Sequence, residues 1–286
     1  MHLATSSIAP IGVYDSGVGG LSVLQALQAA LPAESFIYVA DSRHAPYGDR
    51  SATFLEARSA EITSFLQRCQ VKALVLACNT ISVVAARALR ARHSLPIVAM
   101  EPAIKPAASA TKSQVVLVLA TPNTIRSPSV VSLCKEHGAR ARIILQPCPG
   151  LAEQVERREL NSDTTRRLLG QYIRPGLLAG ADIIVLGCTH YSFLATEIAK
   201  IAGPSVSVME PSAAIARQLA HRLPQPLRSA SPIIGATTFY TSGSTQDLRA
   251  FLSVLGKTNA DIRNLPGEAL TCRSAEHAEA KPLCAG

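Results

Sequence analysis

Two stretches of this sequence pair an apolar run with residues able to do chemistry. Leu74-Val75-Leu76-Ala77-Cys78-Asn79-Thr80 and Ile184-Val185-Leu186-Gly187-Cys188-Thr189-His190 each stop at a cysteine followed by two small polar or ionisable residues. One such cysteine is more often a buried core thiol than a functional one; its repetition in the same setting argues for function. Two thiols meeting one ligand suit three chemistries. In stereochemical inversion, one thiolate removes a proton from one face of a carbon while the other thiol returns one to the opposite face. The others are disulfide redox chemistry and metal binding, the latter with His190 and Cys148 as further ligands. Inversion needs each sulfur near a helix N-terminus or a base. A helix is expected after each cysteine, and His190 and Asp15 are candidate proton acceptors. Redox and metal readings lack their usual spacing, because none of the seven cysteines forms a Cys-x-x-Cys.

The apolar runs read as parallel strands buried on both faces, with the cysteines just beyond their carboxyl ends. Strand 11–14 leads into the turn Asp15-Ser16-Gly17-Val18-Gly19-Gly20 and a helix with Leu21, Leu24, Leu27 and Leu31 on one face, ended by Pro32. The glycines would allow close backbone approach to a small anionic ligand at a helix N-terminus. Asp15 would repel a phosphate, position 22 is serine where a dinucleotide fingerprint wants glycine, and no P-loop lysine follows. A nucleotide-binding module is therefore disfavoured, and Asp15 reads as a catalytic group, an amine-binding group or a helix cap. Strand 36–40 runs into a long polar loop, helix 51–68 follows, and strand 97–100 ends in Met-Glu-Pro. The order then repeats: strand 115–120 with Thr121-Pro122-Asn123-Thr124, strand 142–146, helices over 151–160 and 163–178, strand 182–187, and strand 206–209 ending again in Met-Glu-Pro. Glu101 and Glu210 stand 109 residues apart, and Cys78 and Cys188 stand 110 apart. Shared spacing of two landmarks implies a duplicated α/β unit rather than a solenoid.

The expected fold is therefore two similar α/β domains with mainly parallel sheets flanked by helices, related by a pseudo-two-fold axis, with the site in the cleft between them. The first comprises 1–100 plus 212–256, the returning segment holding helix 212–222, strand 233–240 and helix 245–255. The second comprises 101–211, and 257–286 reads as a loosely ordered tail.

At 286 residues and 48% hydrophobic, the chain can fill two ordinary domains. Without Trp and with 4% aromatic residues, stacking on exposed bases is a poor candidate activity. The net charge of +8 is spread among acidic residues, which suits a solvated surface better than a nucleic-acid site. The cysteine usage fits a reducing compartment. With no signal-peptide pattern and no run of about 18 apolar residues, a cytoplasmic protein without a membrane span is expected.

The opening 11–24 resembles that of the glutamate racemases of the aspartate/glutamate racemase superfamily. So do Asp41 with Pro46-Tyr47-Gly48, Ala77-Cys78-Asn79-Thr80, Thr121 with Thr124, Leu186-Gly187-Cys188-Thr189-His190-Tyr191 and Phe239-Tyr240-Thr241-Ser242-Gly243. The resemblance spans about 10–255. It implies a cofactor-independent isomerase interconverting L- and D-glutamate, the latter for peptidoglycan and so for the cell wall and cell shape. It makes Cys78 and Cys188 the acid/base thiols, with Asp15 beside the first and His190 beside the second. A further carboxylate falls on Glu156, with Glu153 as the alternative. Asp15, Ser16, Tyr47, Gly48, Asn79, Thr80, Thr121, Thr124, Thr189 and His190 would hold the substrate. No metal is implied; a homodimer is, and some members bind DNA gyrase. The alternatives are an aspartate or hydantoin racemase of the same superfamily, or a gyrase-binding regulatory protein. The sequence departs from the family at Ser42-Arg43-His44-Ala45, at Met209-Glu210-Pro211-Ser212 and in the polar stretch 148–159.

Overall fold

The computed structural model describes residues 6–225, 228–229 and 233–266. Its first four strands are β1 (Ile11–Asp15), β2 (Phe36–Ala40), β3 (Ala73–Leu76) and β4 (Ile97–Ala99). They are linked by the helices α1 (Leu21–Ala30), α2 (Ala52–Arg68) and α3 (Asn79–Arg92). β1 and β3 are buried along their whole lengths, as continuous apolar runs require in a sheet covered on both faces. α4 (Ile104–Ala110) then leads to β5 (Val115–Ala120), α5 (Pro122–Arg126), α6 (Pro128–His137) and β6 (Arg142–Pro147). α7 (Leu151–Glu156), α8 (Asp163–Leu178), β7 (Ile183–Gly187), α9 (Ala195–Ala202) and β8 (Ser207–Met209) follow. The described residues end with α10 (Ser212–Arg222), β9 (Thr237–Thr241), α11 (Thr245–Val254) and β10 (Asp261–Asn264). Hydroxyls mark several helix starts: Ser51, Thr121, Ser127, Ser162 and Ser244 each accept a backbone N–H from the first turn.

The strands form two parallel sheets, one ordered β10-β9-β2-β1-β3-β4 and the other β6-β5-β7-β8. Their equivalent parts, β2-β1-β3-β4 and β6-β5-β7-β8, share one order, so the repeat in the sequence is a repeat of topology. Register lines up the carboxyl ends: Asp15 pairs with Ala40 and Tyr14 with Leu76, while Ala120 pairs with both Pro147 and Gly187. Asp15, Asp41 and Cys78 thus leave one sheet at its carboxyl edge, and Thr121, Cys148 and Cys188 leave the other. The returning α10 packs on α1 and β4, and β9 pairs with β2. One apolar cluster joins Val13 and Val75 of the first sheet to Leu117, Leu119, Ile184 and Leu186 of the second, so the halves share a core below the cleft.

Four expectations need correction. Residues 257–266 are not loose: β10 pairs in parallel with β9 and guards that edge with the charged pair Asp261–Arg263; residues 267–286 lie outside the described residues. The strand expected over 233–240 begins at Thr237, because the backbone of Gly235 crosses against the Glu34 carbonyl too closely for any Cβ and leaves Ile233 and Ile234 exposed. The helix expected over 151–160 stops at Glu156, where Arg158 takes a left-handed φ of 63°. Cys78 caps α3 directly, but Cys188 leads into a 3₁₀ turn, Thr189–Leu194, before α9.

Candidate active site

The two carboxyl edges meet. Thr80, in the first turn of α3, has its hydroxyl 3.0 Å from that of Thr121 and 3.4 Å from that of Thr124. Thr121 caps α5, where Pro122 occupies the first turn without wasting an amide proton, and its hydroxyl donates to Thr124 at 2.9 Å. On the other flank the Val18 amide donates to Glu156 Oε1 at 3.0 Å, and Thr189 Oγ1 donates to Asp15 at 3.5 Å. The expected site residues thus come together from both halves, and the thiols lie nearly sealed between them: Cys78 is 5% exposed and Cys188 6%.

The glycines of the 15–20 turn serve this meeting. Gly17, Gly19 and Gly20 have ordinary negative φ, but a Cβ on Gly17 would collide with the Glu156 carboxylate. One on Gly19 would come within 2.6 Å of His190 Nδ1 and Thr189 Oγ1. The close approach expected for an anionic ligand is made by side chains of the second half.

The two thiols sit in different electrostatic surroundings. Burial pushes the Cys78 thiol up to about 12, helped by the charge of Asp15, against the Ile81 amide and the Ser16 hydroxyl. Asp15 is fully buried; burial raises it above the usual carboxylate value, opposed by His190 and the amides of Gly20 and Gly17. Tyr38, donating to the Gly17 carbonyl at 2.9 Å and to Asp15 at 3.4 Å, steadies the turn from behind. Cys188 instead faces His190, with Sγ 3.7 Å from Nδ1. The other ring nitrogen, Nε2, lies 2.6 Å from Glu156 Oε1. Burial works to lower the His190 pKa, but the bonds to Cys188 and Glu156 prevail and raise it well above the ordinary histidine value. Glu156 is the carboxylate bonded to His190 among the described residues; Glu153 lies one turn earlier on α7, within electrostatic reach of Tyr172 and Tyr191.

Asn79 is 2% exposed, and neither amide atom finds a partner among the described residues. A buried amide so placed costs free energy unless a ligand completes it. Tyr47 is different: its hydroxyl donates to Asp41. Tyr14 lies 2.8 Å from that hydroxyl and must be the donor, since the Tyr47 proton is already committed. Gly48 packs its backbone on Thr121. Among the described residues no group of three or more His, Cys, Asp or Glu is placed to hold a metal ion, and the Cys148 thiol, raised by burial, donates to the Gln146 carbonyl.

Beyond the expected residues lies a buried network around Asp41. Arg58 donates through Nε and Nη2 to its two oxygens, each at 2.8 Å, Ser242 donates at 2.6 Å, and His44 Nδ1 lies at 3.1 Å. Burial would raise Asp41, but these bonds hold it well below the usual carboxylate range. The sequence carried a signal for Arg58: it falls on the inward stripe of α2 with Leu55, Ile62 and Phe65, where a charge needs a partner. No helix among the described residues is long and apolar enough to cross a membrane.

Comparison with known proteins agrees with this geometry. A family model described as Asp/Glu/hydantoin racemase matches residues 11–219. The glutamate racemase of Ectopseudomonas mendocina is 48% identical over 257 residues, covering 90% of this chain and 98% of that protein. The crystal structure of a glutamate racemase isoform from Bacillus anthracis superposes with a TM-score of 0.80 at 30% identity, over 90% of this chain and 97% of that one. Escherichia coli glutamate racemase, in complex with L-glutamate and the activator UDP-MurNAc-ala, gives 0.78 at 30% identity, over 89% and 97% of the two chains. Identity at this level across nearly the whole length, with two thiols at equivalent ends of duplicated sheets, makes the chain a member of the Asp/Glu/hydantoin racemase family.

Proposed function

We propose that the chain is a cofactor-independent glutamate racemase working through Cys78 and Cys188. The observation that carries this reading is the pair of nearly sealed thiols ending β3 and β7, equivalent strands of two equally ordered sheets. Glutamate would lie between them with its α-carbon facing both sulfurs. One sulfur, as thiolate, takes the α-proton; the other, as thiol, protonates the opposite face. A resting enzyme needs one sulfur in each state. The surroundings differ in kind: burial and Asp15 hold the Cys78 thiol up, while Cys188 has the imidazole of His190, backed by Glu156, within reach of its sulfur.

The α-proton of an amino acid is very weakly acidic, so the carbanion-like transition state needs donors aimed at the substrate carboxylates in a site without bulk water. Asn79 offers its unpartnered amide beside the linked hydroxyls of Thr80, Thr121 and Thr124, and Thr189 brings a hydroxyl from the other flank, where it now bonds Asp15. Ser16 adds a hydroxyl beside Cys78. Tyr47 and Gly48 serve through backbone, because the Tyr47 hydroxyl is bound to Asp41. The reading extends to a role in supplying D-glutamate for peptidoglycan in the cytoplasm, to a homodimer, testable by sedimentation, and to a contact with DNA gyrase, testable in a supercoiling assay.

The deciding experiment follows L-glutamate with purified protein in D₂O, without added pyridoxal phosphate or metal, by proton NMR and optical rotation. The expected result is loss of the α-proton signal together with decay of rotation to zero. Faster turnover of L-aspartate would move the assignment to the sister substrate, and no exchange with either acid would overturn it.

A further inference from the structure

On the flank of the cleft away from Glu156, where Thr80 meets Thr121 and Thr124, one further side chain crosses between the halves. Asn123, between Thr121 and Thr124 on α5, reaches from the second half to the loop after β2 in the first. Its Nδ2 donates to the carbonyl of Tyr47 at 3.1 Å and to that of Arg50 at 2.8 Å. These carbonyls bracket a 3₁₀ turn, closed by the Arg50 amide donating to Tyr47 O at 3.2 Å. Asn123 thereby grips the turn from outside while Gly48 lies with its backbone on Thr121.

The turn is a firm target. Behind it the buried Asp41 is held by Arg58 and Ser242, and Tyr47 is tied to Asp41. The gripping side chain is equally fixed, because Thr121 caps the short helix that carries it. Cys78, Cys188 and Asn79 are too enclosed for an amino acid to reach them in this arrangement, so the halves must part to admit and release substrate. The two Asn123 bonds lie on the path of that motion and must break and re-form in each turnover.

We propose that Asn123 is a positioning residue that latches the halves over bound glutamate by holding the backbone of the 47–50 turn, a role that rests on the racemase reading. A neutral amide suits it, because its two N–H bonds match two carbonyls. An aspartate of the same size would face those carbonyls as an acceptor and repel them. Space filling and latching therefore predict opposite orders. If Asn123 only fills space, Asn123→Asp is milder than Asn123→Ala; if it latches, Asn123→Asp is worse.

The test compares the unmutated protein with both variants in three measurements: racemisation kinetics, melting temperature with and without glutamate, and amide hydrogen exchange of the 44–52 segment without substrate. The latch predicts that Asn123→Ala loses roughly tenfold in kcat/KM, as expected for two neutral hydrogen bonds. Asn123→Asp should lose more, with KM carrying most of the change in both. The melting temperature without ligand should hold while the rise on adding glutamate shrinks, and exchange over 47–50 should quicken. Unchanged kcat/KM in Asn123→Ala, or a milder effect in Asn123→Asp, overturns the latch. If the unmutated protein does not racemise glutamate, the functional reading falls on its own. Hydrogen exchange then still judges the latch, and unchanged protection in both variants overturns it.

Discussion

At the scale of single residues, the candidate site pairs two thiols with unlike neighbours. General acid–base groups contribute typically about 10²–10⁴-fold, so Cys78→Ser and Cys188→Ser should each lose at least about 10²-fold in racemisation while keeping their circular dichroism. The equilibrium constant between enantiomers is unity, so kcat/KM must fall equally in both directions. The asymmetry between the thiols has to be read elsewhere, in solvent exchange. Each serine variant retains one sulfur on one face and should exchange the α-proton of one enantiomer only, the two variants choosing opposite enantiomers. A variant that exchanges both enantiomers at equal rates would contradict the one-sulfur-per-face arrangement. Glu156→Gln should act through His190. The carboxylate helps raise the histidine, so its removal lowers that pKa, and the alkaline limb of the kcat/KM profile should move to lower pH. An unmoved limb would separate the His190–Glu156 pair from proton transfer.

At the scale of elements, the strand ends carry the candidate catalytic groups, and the loop after β2 supplies a wall held by a buried ion pair. Arg58→Met removes the cation beside a fully buried Asp41, and leaving such a charge unpaired typically costs about 3–5 kcal/mol. Urea unfolding should show that loss, and a cost within 1 kcal/mol would mean that Asp41 is neutral or hydrated. The pH dependence has a definite sign. Asp41 is held below its unfolded value, so its contribution is complete above the ordinary carboxylate pKa of about 4 and drains away as pH falls toward the lower folded value. Asp41→Asn should therefore flatten the acid side of the stability curve below about pH 4.

At the scale of the whole molecule, two halves share one apolar cluster below the cleft and touch above it through polar contacts on two flanks. Firm packing below with polar contacts above suits repeated opening. The glycine turn sets how closely the upper parts meet. Gly17→Ala forces a methyl group into the Glu156 carboxylate, so the halves must separate or Glu156 must leave His190. A displacement near 1 Å can cost about 10²-fold, and this variant should lose activity on that scale with its secondary structure intact. Activity close to that of the unmutated protein would show that the turn yields.

The sequence by itself determined the repeat, the strands and the positions of the two candidate acid/base thiols. Continuous apolar runs of four to six residues bounded by turn residues read as covered strands, and chemistry in such folds gathers at their carboxyl ends, so Cys78, Cys188 and Asp15 stood out as candidates from local pattern, whereas Thr121 and Thr124 came from the family resemblance. A short charged edge such as 261–264 carries no periodicity, and its strand forms only because β9 offers an open edge to pair with. What tertiary structure decided are relations between distant residues. The choice of Glu156 beside His190, Arg58 as the partner of Asp41, and Asn123 across the cleft from Tyr47 and Arg50 depend on which surfaces the fold brings together. Glycine looks alike in sequence whether it serves a turn, a ligand or a neighbour; that Gly17 and Gly19 make room for Glu156 and His190 follows only from packing the two halves face to face. Local pattern fixes what a segment can be, whereas the protonation of a buried group is set by the charges and donors that long-range contacts place around it.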